Sequence, residues 1–342
     1  MTSLSRATRR RRRGLPRDPV EVWTSRLEEE PAVHAWRELG VGPCPVRLEL
    51  LRRRKKSVVY RLPGVGRDGS DVIAKQGLWQ GALDERSAYE VLSELPLARL
   101  AYYGFVAEPA REYGWLFIED AGGEPWNPDD DAHRRMSTRW LAALHTASSR
   151  TSGAACLPDR GLGWFRRHLD CAPSRIRASF ANPVLAPEAR PVLDDMLRLL
   201  DEVEACWREI ENACAPMPRA LVHGDFAERN VRIRDEGSEP RVLAFDWEVA
   251  GWGLPAVDLV DVDLPTYAEA VRADWPGLDC AALERFAQLG ELLRGGVVAA
   301  SWAAESLTTT WPNDAVREFV HYQRRILHAL AALGLPPARE TP

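Results

Sequence analysis

Three oxygen-bearing side chains fall in two short turns of this chain. Asp225 and Asn230 lie five residues apart in Leu221-Val-His-Gly-Asp-Phe-Ala-Glu-Arg-Asn230, and Asp246 follows sixteen residues later in Val242-Leu-Ala-Phe-Asp-Trp-Glu248. An acid that can orient a hydroxyl, joined by an amide and a second acid that can hold a divalent cation, is the minimum needed to move a phosphoryl group from ATP. A lone Asp in a turn usually serves the turn itself. Three such positions, in order and flanked by apolar β-rich runs, make the catalytic reading the stronger one. His223, just before Gly-Asp, is expected to orient the loop through backbone hydrogen bonds rather than act as a base.

Such a site must also balance the charge of a triphosphate. Lys75, in Val72-Ile-Ala-Lys-Gln76, ends a short strand that could hold its ammonium against phosphate oxygens. Glu85 opens the following helix and could fix Lys75, with Glu90 as the competing partner. No G-x-x-x-x-G-K-[ST] occurs, which excludes a P-loop. Where a phosphate-gripping loop would fall, the chain has Arg52-Arg-Arg-Lys-Lys-Ser57, basic and without glycine; Ser57 could add a hydroxyl and backbone N–H groups. Downstream of Asp246 the chain is acidic (Glu248, Asp258, Asp261, Asp263, Glu269), with Trp247, Trp252, Tyr267 and Trp275 interleaved. As a group these suit a cationic acceptor; singly, each reads as a surface acid or a core aromatic. His145, on an apolar helical face, reads as a core histidine.

The elements that must position these residues follow from periodicity. Residues 18–40 read as one amphipathic helix closed by Gly40. Val46–Leu51, Val58–Leu62, Val72–Lys75, Leu100–Val106 and Trp115–Ile118 read as five antiparallel strands, with a helix over 82–95 inserted and stopped by Pro96. Glu119-Asp-Ala-Gly-Gly-Glu-Pro125 reads as a hinge. Beyond it helices are expected over 129–147, 188–213, 256–272, 279–306 and 314–333, and the only β-like runs, Ala220–Val222, Val231–Ile233 and Val242–Phe245, flank the motif. The expected organisation is a basic tail over 1–17, a helical extension over 18–44, a sheet lobe over 45–120 and a helical lobe over 121–335.

Composition agrees with a folded enzyme. Hydrophobic residues make up 45% of the 342, too many for a disordered chain. Six scattered cysteines without a C-x-x-C pair argue against a zinc knuckle or disulfide framework and point to a reducing cytoplasm. No run is long and apolar enough for a membrane span, and no apolar segment follows the basic N-terminus as a secretory signal requires. The tail holds seven Arg and no acid, while the whole chain has a formal net charge of −5, so the body is acidic. An acidic body repels phosphate backbones and argues against nucleic acid as a partner. Monomer and homodimer are equally compatible with the pattern.

Taken together, His223-Gly-Asp225…Asn230, Asp246-Trp-Glu248 and Leu141-Ala-Ala-Leu-His145 resemble the aminoglycoside phosphotransferase / choline kinase family over roughly residues 45–335. The resemblance implies an α+β, protein-kinase-like two-lobed fold and transfer of the γ-phosphoryl group of ATP, or GTP, to a small-molecule hydroxyl. It implies that Asp225 is the catalytic-loop acid, that Asn230 and Asp246 hold Mg2+, and that Lys75 and Glu85 form the nucleotide-positioning pair. It also implies that the Phe117–Gly122 hinge, through Glu119 and Ala121, meets the base, and that Asp258 is structural. Glu248, Trp252 and Asp261 are the candidate acceptor contacts. The chain departs from the family in its basic phosphate loop and its N-terminal extension. Protein kinases carry H-R-D and D-F-G where this chain has H-G-D and D-W-E, which favours a small-molecule acceptor such as an aminoglycoside or another amine- or sugar-bearing compound. Alternatives are a nucleotide-binding pseudokinase scaffold and a choline-, ethanolamine- or sugar-type metabolic kinase. A metal-dependent phosphoesterase would need a D-x-H near the start of the chain and further histidine ligands, and the seven histidines are too sparse and badly placed for a dinuclear site.

Overall fold

Alternating apolar and polar residues in the first third of the chain build an antiparallel sheet. The computed structural model describes residues 21–54, 56–110, 112–151, 155–235, 237, 240–309 and 312–335, so the expected tail over 1–17 lies outside the described residues. The chain divides into two units, Met1–Ala82 with Ala101–Asp120, and Leu83–Leu100 with Ala121–Pro342.

In the first unit, β1 (Glu21–Trp23), β2 (Leu48–Arg54), β3 (Ser57–Leu62), β4 (Val72–Leu78), β5 (Tyr102–Ala107) and β6 (Tyr113–Glu119) form one sheet in the order β1-β2-β3-β4-β6-β5. The expectation of five strands is therefore corrected to six. The extra strand comes from the stretch expected to be helix over 18–40. Among the described residues there, only Pro31–Leu39 (α1) is α-helical, because Pro31 lacks the N–H that a helix interior requires and can only start one. Val22 instead pairs with Glu49 across β1 and β2.

The apolar stripe of α1 covers the sheet. Ala32, Val33 and Trp36 are almost wholly buried with Leu48, Leu62, Val72 and Phe117. Trp36 packs against Tyr103 and Phe117 at ring distances of 5.7 and 5.4 Å, and its indole N–H donates to the Pro43 carbonyl at 2.9 Å. The segment that reads as an extension thus supplies part of this unit's core.

α2 (Trp79–Glu94) runs out of β4. From Leu83 onward it groups with the second unit rather than with the expected sheet lobe of 45–120. The reason is local: the Trp140 indole donates to the Ala98 carbonyl at 2.8 Å, and Arg160 donates to Asp84 at 2.7 Å.

The second unit is mainly helical: α3 (Asp131–Ser149), α4 (Leu162–Ser179), α5 (Ala189–Ala205), α6 (Trp207–Cys214), α7 (Leu264–Val271), α8 (Cys280–Gly290), α9 (Ala299–Ser306) and α10 (Pro312–Leu333). α4 was not expected, since Pro173 and many Arg break its pattern. The stretch over 188–213 is two helices, interrupted at Cys206. The expected helix over 256–272 is a 3-10 turn, Pro255–Asp258, followed after a break by α7. The stretch over 279–306 winds as π-helix from Glu291 to Val298 between α8 and α9.

Two small sheets frame the motif. β7 (Glu124–Pro125) joins β10 (Val231–Asp235) and β11 (Pro240–Ala244), and β8 (Asp159–Arg160) joins β12 (Gly251–Gly253) and β9 (Ala220–Val222). β7, β8 and β12 add to the three runs expected; they are too short for periodicity to mark.

Candidate active site

The loop between β9 and β10 carries His223 to Asn230, and its shape is set by hydrogen bonds from both sides. Buried Asp258, in the 3-10 turn, accepts from the backbone N–H of His223 at 2.7 Å and of Gly224 at 2.9 Å. His145 Nε2 donates to the same carboxylate at 3.3 Å, and His145 Nδ1 accepts from the Tyr267 hydroxyl at 2.8 Å. Burial pushes the Asp258 carboxyl up, but the hydrogen bond from His145 and the positive charge around it outweigh that and hold it below its ordinary value. Gly224 sits at φ +73°, and a Cβ there would come within 2.8 Å of the Val249 carbonyl oxygen. Glycine is required at that step on both counts.

His223 is fully buried and neutral in role. Its Nδ1 accepts from the Asp225 N–H at 3.2 Å, so Nε2 carries the proton and donates to the Phe245 carbonyl at 3.1 Å. Burial holds its pKa below the ordinary 6.5 despite the pull of Asp258 and Asp225. One imidazole therefore ties the Asp225 turn to the strand end before Asp246.

Asp225 and Asn230 are brought together. The Asn230 amide nitrogen donates to the Asp225 carbonyl at 3.0 Å and to Asp225 Oδ2 at 2.8 Å. Spending Nδ2 in this way leaves Oδ1, a hard oxygen donor, as the atom available to a cation; among the described residues it accepts no hydrogen bond. The Phe245 N–H donates to the Asn230 carbonyl at 3.0 Å, which sets Asp246 beside the loop. Asp246 lies at φ +68°, an αL position that Asp tolerates better than most residues, two residues past the end of β11. Buried Glu85 accepts from the Trp247 N–H at 3.2 Å and braces this turn from α2. That contact was not expected for Glu85; Glu90, its competitor, is exposed and pairs with Arg86.

Two guanidinium groups reach Asp225. Arg294, from the π-helical segment, donates Nη2 to Asp225 Oδ1 at 2.5 Å with its side chain only 16% exposed. Arg229, 68% exposed, reaches Oδ2. Arg229 stands inside the motif, whereas Arg294 is sixty-nine residues away in a stretch that reads as ordinary amphipathic helix, and nothing in the sequence singled it out.

The remaining candidates separate by environment. Lys75 is 7% exposed within the first unit, paired with Val59 on one side and Leu116 on the other. Ser57 opens β3 opposite Arg54 and Gly77. Arg52–Arg54 belong to β2 rather than to a loop, and Arg53 donates to the Tyr60 hydroxyl at 3.1 Å. Lys55 lies outside the described residues. Glu119 ends β6, exchanging hydrogen bonds with Ala101; the Ala121 carbonyl, in the second unit, accepts from Arg234 at 3.4 Å. Glu248 and Asp261 are exposed, and Trp252 is half-buried in β12. Trp247, Tyr267 and Trp275 are core residues, which removes them as stacking surfaces for an acceptor.

The family profile described as APH, phosphotransferase enzyme family, matches residues 76–296. The chain belongs to this family. It is a phosphotransferase with a hydroxyl acceptor, and all of the second-unit candidates fall inside the match, whereas Lys75 and Ser57 lie just before it. No curated protein matches the chain in sequence.

Solved structures share the family's kinase-like fold. A spectinomycin phosphotransferase, APH(9)-Ia, crystallised with ADP and spectinomycin, aligns over 86% of this chain and 96% of its own, with a TM-score of 0.57 and 11% identity. A choline kinase from Cryptosporidium parvum Iowa II aligns over 91% and 96%, with a TM-score of 0.59 and 12% identity. APH(2")-IIIa with GDP and kanamycin aligns over 82% and 93%, with a TM-score of 0.55 and 15% identity.

Proposed function

We propose that this phosphotransferase uses ATP and Mg2+ to phosphorylate a hydroxyl of a small molecule bearing amines or sugars. The observation that carries the reading is Asp225 locked to Asn230, on a loop that Asp258 and His223 hold rigid. A carboxylate so fixed is built to align a hydroxyl rather than to cap a turn. Asn230 Oδ1 and the Asp246 carboxylate fit Mg2+, which favours hard oxygens and draws its other ligands from phosphates and water. Among the described residues no cluster of three or more His, Cys, Asp or Glu could hold a metal alone, which suits a cation that arrives with its nucleotide. When bound, Mg2+ supplies charge neutralisation on the phosphates.

Lys75, Glu85, Ser57, Glu119 and Ala121 are the proposed nucleotide-binding residues. In the reaction the bond from the γ-phosphorus to the β–γ bridging oxygen breaks and the acceptor oxygen bonds to phosphorus. The hydroxyl proton leaves by way of Asp225 to water, and ADP departs. Glu248, Asp261 and half-buried Trp252 are the proposed acceptor contacts, and their acidity supports an amine-bearing compound.

A coupled ADP-release screen tests this. Aminoglycosides, other amine antibiotics, choline, ethanolamine and free sugars are offered with MgATP. Release with an amine- or sugar-bearing compound is expected, and silence across the whole panel overturns the reading in favour of a scaffold.

A further inference from the structure

Resting on that reading, and going beyond it, we propose that Arg294 is a positioning residue for Asp225, seated there by the π-helical segment. Asp225 is gripped by two well-anchored groups, Asn230 on Oδ2 and Arg294 on Oδ1. Each carboxylate oxygen offers two lone-pair directions. One on Oδ1 therefore stays available to an acceptor hydroxyl while the plane of the carboxylate is fixed. Arg229 also touches the group, but from a side chain 68% exposed, where solvent screens the pair. Arg294, at 16% exposed, is the arginine whose geometry is constrained.

The segment that delivers it is held on three sides. A Cβ on Gly290 would overlap the carbonyl oxygen of Ala256, in the same 3-10 turn that presents Asp258. A Cβ on Gly295 would come within 2.5 Å of the Arg325 guanidinium, and one on Gly296 within 2.5 Å of Ile326. Arg325 in turn forms a two-pronged ion pair with Glu291 at the start of the segment. π-helical turns are rare and concentrate at functional sites, because each extra residue in the turn rotates the side chains that follow. Here the glycines let α10 and the 3-10 turn approach closely, and Arg294 emerges onto Asp225. The same turn that orients the loop through Asp258 therefore braces the helix that orients Asp225.

The test is kinetic. Turnover of MgATP is measured with water as acceptor and with each compound of the panel, for the wild type, Arg294→Gln, Arg294→Lys, Asp225→Asn and the double variant Asp225→Asn/Arg294→Gln. Thermal unfolding of each is followed alongside. Arg294→Gln is expected to lower kcat about 100-fold, the scale of a misplaced reacting group, with the KM for ATP within about threefold of wild type. Arg294→Lys retains the charge without the planar fork, recovers part of the rate and keeps the claim testable should the Gln variant not fold. Because Arg294 acts through Asp225, the double variant is expected to be within about threefold of Asp225→Asn alone.

Three results overturn the proposal: an Arg294→Gln rate near wild type, a rate above wild type as an inhibitory latch would give, or losses that multiply in the double variant. A wild type silent with water and every acceptor instead overturns the phosphotransfer reading beneath it.

Discussion

Asp258 spends its carboxylate on the chain rather than on chemistry. It takes two loop N–H groups and His145, so its neighbours His223 and Gly224 cannot move independently of it. Asparagine at this position keeps one acceptor oxygen and turns an NH2 against the second N–H. Asp258→Asn is therefore expected to lower stability by about 1–3 kcal/mol and to reduce kcat, read from urea denaturation and initial rates. An unchanged denaturation midpoint would show that the loop is held some other way. The clustering of Asp225, Asn230 and His223 is legible in sequence because they lie within eight residues of one another, and the structure joins them by hydrogen bonds. Arg294 is not, because a contact across sixty-nine residues leaves no local pattern. Glu85 is a mixed case: its place on α2 was readable, but its bond to the Trp247 N–H depends on how α2 packs, which periodicity does not encode.

Elements that alternate cleanly were readable, and those governed by one residue were not. The sheet strands appear within a few residues of expectation because both faces show in their patterns. α1 is shorter than its pattern suggests because the apolar stripe continues upstream of Pro31 while the helical backbone does not. α4 leaves no clear pattern because Pro173 and its arginines mask the buried face of Phe165, Leu169 and Ile176. The same element scale yields a test of the N-terminal segment. Trp36 is 1% exposed beneath the sheet, so Trp36→Ala is expected to cost about 3–5 kcal/mol in chemical denaturation. A loss under about 1 kcal/mol would mean that α1 is an appendage rather than core.

At the scale of the whole molecule, two histidines tie stability to pH. Burial holds the pKa of His168 down to about 4 and that of His223 below 6.5. A base whose pKa is lower folded than unfolded binds fewer protons in the native state, so stability is fully present above about pH 6.5 and is lost as pH falls toward the folded values. Asp258 acts in the same sense at lower pH: its depressed carboxyl contributes stability that is present above about pH 4 and is lost below it. The denaturation midpoint is therefore expected to fall steadily between pH 7 and pH 4.5. A flat profile across that range would contradict the buried, neutral placement of both histidines.

The central claim is that Asp225 aligns a hydroxyl for phosphoryl transfer without being needed to bind nucleotide. Its most direct test is a single-turnover measurement on Asp225→Asn with radiolabelled MgATP and whichever acceptor gives ADP release, together with calorimetric titration of the nucleotide. The account predicts a transfer rate lower by about 10² to 10⁴, the range of a positioned acid–base group, with nucleotide affinity within about threefold of wild type. Near-normal transfer by the Asn variant would contradict it.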